Sequence, residues 1–134
     1  MEKLTLPAKL ENYEQMISFI VNGAEAAGFD KATISKIHLA CEEALVNVIN
    51  YAYPDKQGDI EIGYNFSDDN SGFLIDIIDW GIEFNPLNKS EPDIEAPLDE
   101  RPIGGLGIFF IRKIMDEVIY KRDRGRNILT LIKR

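Results

Sequence analysis

Between Gly81 and Gly105 the chain carries Pro86, Pro92, Pro97 and Pro102, scattered acids and no periodic pattern of apolar residues. Proline fixes φ and removes a backbone donor, so no helix or interior strand runs through such a stretch. A structureless loop of this kind inside a compact domain is either functional or disordered. What flanks it therefore has to supply the whole fold.

On the N-terminal side a short strand is expected from Lys3 to Lys9. A helix follows from about Leu10 to Ala27, with Tyr13, Met16, Ile17, Ile20, Val21 and Ala24 at helical spacing and Gly28 to stop it. Asp30 can cap a second helix from about Lys31 to Tyr53. Pro54 ends that helix, because the residue before proline is pushed out of the α region. Asp59–Phe66 and Phe73–Asp79 read as the strands of a hairpin, split by the turn-like run from Ser67 to Gly72. Beyond the loop, Gly104-Gly105-Leu106-Gly107 opens a helix through about Met115. Val118–Arg122 and Asn127–Lys133 then form a second hairpin, turning near Asp123-Arg124-Gly125. The order predicts an α+β fold, one mixed or antiparallel sheet with helices on one face.

The 134 residues, 45% of them apolar, suit one domain spanning 1–134, with no internal repeat or linker. No apolar run is long enough to span a membrane. The opening residues lack the layout of a signal peptide. A single cysteine, Cys41, cannot form an internal disulfide, which favours the cytoplasm. A net charge of −8 argues against direct nucleic-acid binding through phosphates. The charge is uneven, however. Residues 112–134 hold eight Lys/Arg against three acids, a net +5 that leaves −13 for the remainder. That end is either a solvated basic face or a surface for an acidic partner.

Three features can carry chemistry. On the second helix a narrow strip of Glu43, Asn47 and Asn50 lies between apolar zones. It reads as a solvated stripe, yet asparagine is a poor helix former. Glu43 and Asn47, four apart, share a face. Such an oxygen pair can hold a hydrated Mg²⁺, or let the carboxylate act as a base beside it. In Ile77-Ile78-Asp79-Trp80-Gly81 an aspartate ends an apolar strand. It is either a turn residue or an acceptor for an exocyclic amine, with Gly81 letting a flat ring approach the backbone. Gly104-Gly105-Leu106-Gly107 at a helix start is either a plain glycine turn or a phosphate cradle. It lacks the Lys-Ser/Thr of a P-loop.

The order of these elements, Glu-x-x-x-Asn on a helix, Asp-x-Gly after a strand, a long loop, then Gly-x-Gly on a helix, resembles the N, G1 and G2 boxes of GHKL ATPases. Three longer segments resemble the anti-sigma factor serine/threonine kinases within that superfamily: Glu42–Asn47, Asp79–Pro86, and Gly104–Ile111 with Met115–Val118. The resemblance covers nearly the whole chain. It implies a two-layer α/β sandwich of the Bergerat type and use of ATP with Mg²⁺. The implied activity is that of an anti-sigma factor, binding a sigma factor and phosphorylating a small antagonist protein. A homodimer is among the assemblies it implies. The alternative is a nucleotide-dependent partner-switching module with little catalysis.

By the same resemblance, Asn47 matches the Mg²⁺ ligand and Glu43 the general base, with Glu42 a weaker match. Asp79 matches the acceptor for the adenine amine and Gly81 its paired glycine. Gly105, Leu106 and Gly107 match the phosphate turn that Gly104 opens. The segment from about Asn85 to Ile103 corresponds to the ATP lid, and Thr130 to an adenine-side threonine. Arg101 is placed near the terminal phosphate by its position and charge alone. Glu83 stands where some relatives have a second glycine, and Tyr51 where some carry His or Lys. The one histidine, His38, reads as structural or surface.

Overall fold

The structure, a computed structural model, describes residues 1–66, 72–88 and 105–134, the first three residues of the last segment by backbone alone. Arg101, Gly104, the run 67–71 and most of the expected lid lie outside the described residues.

Five strands, β1 (Glu2–Pro7), β2 (Asp59–Phe66), β3 (Phe73–Asp79), β4 (Glu117–Asp123) and β5 (Arg126–Lys133), form one sheet in the order β1-β2-β3-β5-β4. Every neighbouring pair is antiparallel. Helices α1 (Tyr13–Ala26), α2 (Lys31–Tyr51) and α3 (Gly105–Ile114) complete the α+β arrangement. It is the two-layer architecture expected from the sequence.

Element ends differ from expectation for local reasons. Leu10–Asn12 form a 3₁₀ turn ahead of α1, and Asn12 Nδ2 donates back to the Pro7 carbonyl. The first strand ends at Pro7: the Ala8 amide still donates in register to the Gly58 carbonyl, and the Lys9 amide then turns back to the Pro7 carbonyl, both at 2.8 Å. Asp30 caps α2 by accepting from the Thr33 amide at 2.8 Å. That helix ends two residues earlier than expected, since Pro54 drives Tyr53 out of helical backbone. Tyr53 then becomes a clamp. Its hydroxyl donates to the Asp59 carbonyl at 2.6 Å and accepts from the Trp80 amide at 2.8 Å.

Side chains alternate across the sheet with period two. Register therefore sorts the helix-facing side into rows. One row is Tyr64, Ile75, Leu131 and Val118, and the next is Ile62, Ile77, Leu129 and Tyr120. These rows pack on Met16, Ile17, Ile20, Ile37, Cys41, Leu45 and Ile111. Phe19, Tyr64, Phe73 and Phe29 interlock in tilted and edge contacts 5.0–5.9 Å apart. The last row, Ile60, Asp79, Asn127 and Arg122, turns polar. The sheet thus delivers its buried polar groups at one end, beside the C-terminal half of α2.

Candidate functional site

A cleft opens over that polar row. It encloses about 520 Å³ of non-atom space, open solvent at its mouth included. One wall is α2, with Ala44, Asn47, Val48 and Tyr51 at successive turns, and Ala52 just past its end. Ile108 and Ile111 of α3 form another wall, and Ile82, Phe84 and Pro86 a third. The floor is Ile77, Asp79, Tyr120, Asn127 and Leu129. The lining is mostly apolar, with a few polar groups that converge.

Asp79 is the most constrained of these. It is 4% exposed. Its Oδ1 accepts from the Gly81 amide and from Asn127 Nδ2, both at 2.9 Å. Oδ2 has no hydrogen-bond partner among the described residues. Burial raises the carboxyl's pKa above the ordinary aspartate value, opposed by the bonds from Asn127 and Gly81 and by the nearby Arg122 charge. The result is a fixed carboxylate with one oxygen left as an acceptor.

Asn127 organises this end of the cleft. Its Nδ2 donates to Asp79 Oδ1 and, at 2.7 Å, to the Ile82 carbonyl. Its Oδ1 accepts from the Tyr120 hydroxyl at 2.6 Å, Arg122 at 3.2 Å and the Phe84 amide at 3.3 Å. Arginine and a backbone amide can only donate, so one orientation of the amide satisfies the set. Arg122 also donates to the Gly81 carbonyl at 2.9 Å.

The structure brings Asn47 and Asp79 to one cleft. Glu43 lies one turn before Asn47 on α2 but is not part of the lining. Burial first, then the Glu42 carboxylate, raises the Glu43 pKa above the ordinary glutamate value. Glu42 itself faces α1. Burial and then the Glu42 charge push the Tyr13 phenol up to about 12. The two neighbouring glutamates thus have different surroundings. Tyr51, where some relatives carry a cation, lines the cleft and is 38% exposed. Gly105, Leu106 and Gly107 form the first turn of α3, just ahead of Ile108 in the cleft wall. His38 is an exposed residue on α2, away from the lining.

The structure adds to two sequence expectations. Gly81 is expected to make room for a flat ring, yet the crowding at that position is protein. A Cβ on it would stand 2.2 Å from the Ala52 carbonyl oxygen. Thr130 is expected beside adenine, but it sits between Leu129 and Leu131, which face the core. Its side chain therefore emerges on the opposite face of the sheet. There it donates to Asp76 at 2.5 Å. The inward residue beside Asp79 is Asn127. Sequence reading passes over Asn127, Tyr120, Arg122 and Tyr53. A signal for Asn127 does exist in the sequence, as the one polar residue in the inward series Asn127, Leu129, Leu131.

Comparison with known proteins agrees with this geometry. The profile of the histidine kinase-like ATPase domain matches residues 6–133. A serine-protein kinase RsbW from Bacillus cereus (strain AH187) is 30% identical over 130 residues, covering 95% of this chain and 81% of that protein. A serine-protein kinase RsbW from Bacillus mycoides is 30% identical over 132 residues, with the same coverage. Among solved structures, the RsbU and RsbW domains of a Mycobacterium tuberculosis protein superpose with a TM-score of 0.68 at 16% identity. That match covers all of this chain and 32% of the other, and speaks to the fold. This chain belongs to the histidine kinase-like ATPase domain family, among the relatives of the serine-protein kinase RsbW.

Proposed function

We propose that the chain is an ATP-dependent serine/threonine protein kinase acting as an anti-sigma factor. In this reading it binds a sigma factor and phosphorylates a small antagonist protein. The carrying observation is the cleft, which brings together Asn47 and a buried carboxylate, one oxygen of which has no partner among the described residues. An adenine ring fits that chemistry, flat and apolar with one exocyclic amine to donate. Residues 1–134 act as one nucleotide-binding domain.

ATP is the substrate and supplies the phosphoryl group. Asp79 Oδ2 accepts from the adenine amine and fixes the base. Asn47 would offer an amide oxygen to hold Mg²⁺. Mg²⁺ supplies charge neutralisation at the phosphates. Glu43 accepts the proton of the attacking hydroxyl as that oxygen bonds to phosphorus and ADP leaves. Phosphoryl transfer asks for positioning and electrostatics more than covalent chemistry, and this short set of groups meets that need. Gly105, Leu106 and Gly107, with Gly104 and Arg101 ahead of them, serve the phosphates.

One observation favours a second reading. Glu43 stands outside the cleft lining, which suits a partner-switching module that binds nucleotide and catalyses little. A homodimer remains part of the proposal. Leu74, Ile128, Ile132 and Ile119 lie on the sheet face away from the helices and offer it an apolar surface.

The deciding experiment incubates the protein with labelled ATP, Mg²⁺ and small antagonist proteins from the same genome. Label on a serine or threonine of one of them supports the kinase. Nucleotide-dependent capture of a sigma factor without label supports the module.

A further inference from the structure

Asp79 does not hold itself in place. It ends β3, and both of its bonds reach the same oxygen, one from the turn that follows and one from Asn127 on β5. The second donor of that amide goes to the Ile82 carbonyl, and its oxygen receives the Phe84 amide. Ile82 and Phe84 both line the cleft. A single side chain therefore fixes the carboxylate and the wall beside it. Asn127 is itself 6% exposed, with each donor and its oxygen in use. It has no donor left to offer a ligand.

We infer that Asn127 is the positioning residue of the base site, and that adenine selectivity belongs to the Asn127–Asp79 pair rather than to Asp79 alone. The inference rests on the adenine reading of the cleft given above. Turning Oδ1 into an internal acceptor leaves only Oδ2 to meet the base. A base edge presenting an amine is accepted there, and one presenting a carbonyl meets a like partner and is rejected.

Charged and titratable groups near Asp79 support this assignment. From β4 come Arg122, which favours the ionised form, and the Tyr120 phenol; from the end of α2 comes the Tyr53 phenol. Burial opposes ionisation, and the Asn127 bond is the largest effect countering that burial. Removing the bond makes the carboxyl harder to ionise.

The test measures ATP and GTP binding to the full chain with Mg²⁺ by calorimetry across pH, for wild type, Asn127→Ala, Asn127→Asp and Asp79→Asn. Asn127→Ala is expected to weaken ATP binding roughly 10–100-fold, the loss of a bond to a charged group, and to narrow the ATP-over-GTP preference. Asn127→Asp keeps the side chain's shape but sets a second carboxylate beside the first. Its acid limb of ATP binding should move to higher pH, and it decides the matter if the alanine variant fails to fold. Wild-type affinity, preference and pH midpoint in both variants, with ATP binding lost in Asp79→Asn, would overturn the role of Asn127 while leaving the adenine reading intact. Unchanged ATP binding in Asp79→Asn would overturn that reading and this inference together.

Discussion

Asn127 and Asp79 occupy directly opposed positions on β5 and β3, and the amide of one donates to the carboxylate of the other at 2.9 Å. The pair closes the inner face of the sheet at the end where α2 and α3 leave a cleft. Its bonds are the reason a buried carboxylate is tolerated there. The group is kept hydrogen-bonded on one oxygen, as burial demands, while the other has no partner among the described residues.

That arrangement predicts a conflict between stability and binding at Asp79. The folded carboxyl holds its proton to higher pH than the unfolded one. Its contribution to stability is therefore complete below the unfolded value and is lost as pH rises through the folded value. Asp79→Asn removes that loss, since an amide oxygen still accepts from Gly81 and Asn127. Without nucleotide, the variant's urea midpoint should equal or exceed wild type at neutral pH, and the difference should vanish in acid. Its ATP affinity should nonetheless fall by roughly 1.5–3 kcal/mol. A variant less stable than wild type at neutral pH, or one with unchanged ATP affinity, would contradict this account.

Much of this is legible in the sequence, and the misses share a cause. Helical spacing and the Asp30 cap locate α2, and the apolar run of β3 with its terminal Asp79 is plain. Both depend on neighbours along the chain. The role of Asn127 depends on register, which places it opposite a residue 48 positions earlier. At Gly81 a close approach is visible in the sequence but its source is not. The backbone of Ala52 crowds the place a Cβ would take. For Thr130 the family pattern suggests the cleft side, but the two-residue alternation along β5 decides its face and turns it outward.

Glu43 separates chemistry from binding. Its substitution by alanine should leave ATP binding nearly intact, because the side chain is not in the cleft lining. Phosphoryl transfer should fall about 10²–10⁴-fold if the carboxylate is the general base. Its raised pKa sets the direction of the pH profile. Transfer should decline as pH falls through a value above the ordinary glutamate range, and this limb should be absent in Glu43→Ala. Equal single-turnover rates for wild type and variant would move the balance to the partner-switching module.

Asn47→Ala should differ in kind. Asn47 lines the cleft and is the proposed Mg²⁺ ligand. Its loss should weaken nucleotide binding with Mg²⁺ present and leave binding in chelator little changed. Calorimetry in the two conditions reads the difference. A loss of the same size in both would mean that Asn47 contacts the nucleotide itself.

Gly81→Ala tests whether the glycine after Asp79 is there for the protein rather than for the ligand. A Cβ at that position would sit 2.2 Å from the Ala52 carbonyl oxygen and 2.7 Å from its carbonyl carbon. These are backbone atoms just beyond α2, and no rotamer change can move them away. Either the strand end or the helix end must shift, straining the 3.0 Å bond from the Ile82 amide to the Ala52 carbonyl. Overpacking of this kind costs about 1–3 kcal/mol, with about 1 kcal/mol more if that hydrogen bond is lost. The urea midpoint should fall accordingly. ATP affinity should fall with it, because the same shift displaces Asp79 and Ile82. Gly28→Ala is the control. Gly28 follows α1 with φ +92°, and a Cβ added there would meet nothing within 4 Å. Its backbone strain should lower stability by about 1 kcal/mol without touching ATP affinity. Should Gly81→Ala keep wild-type stability and lose only nucleotide binding, the glycine would be serving the ring after all, and the packing explanation would be wrong.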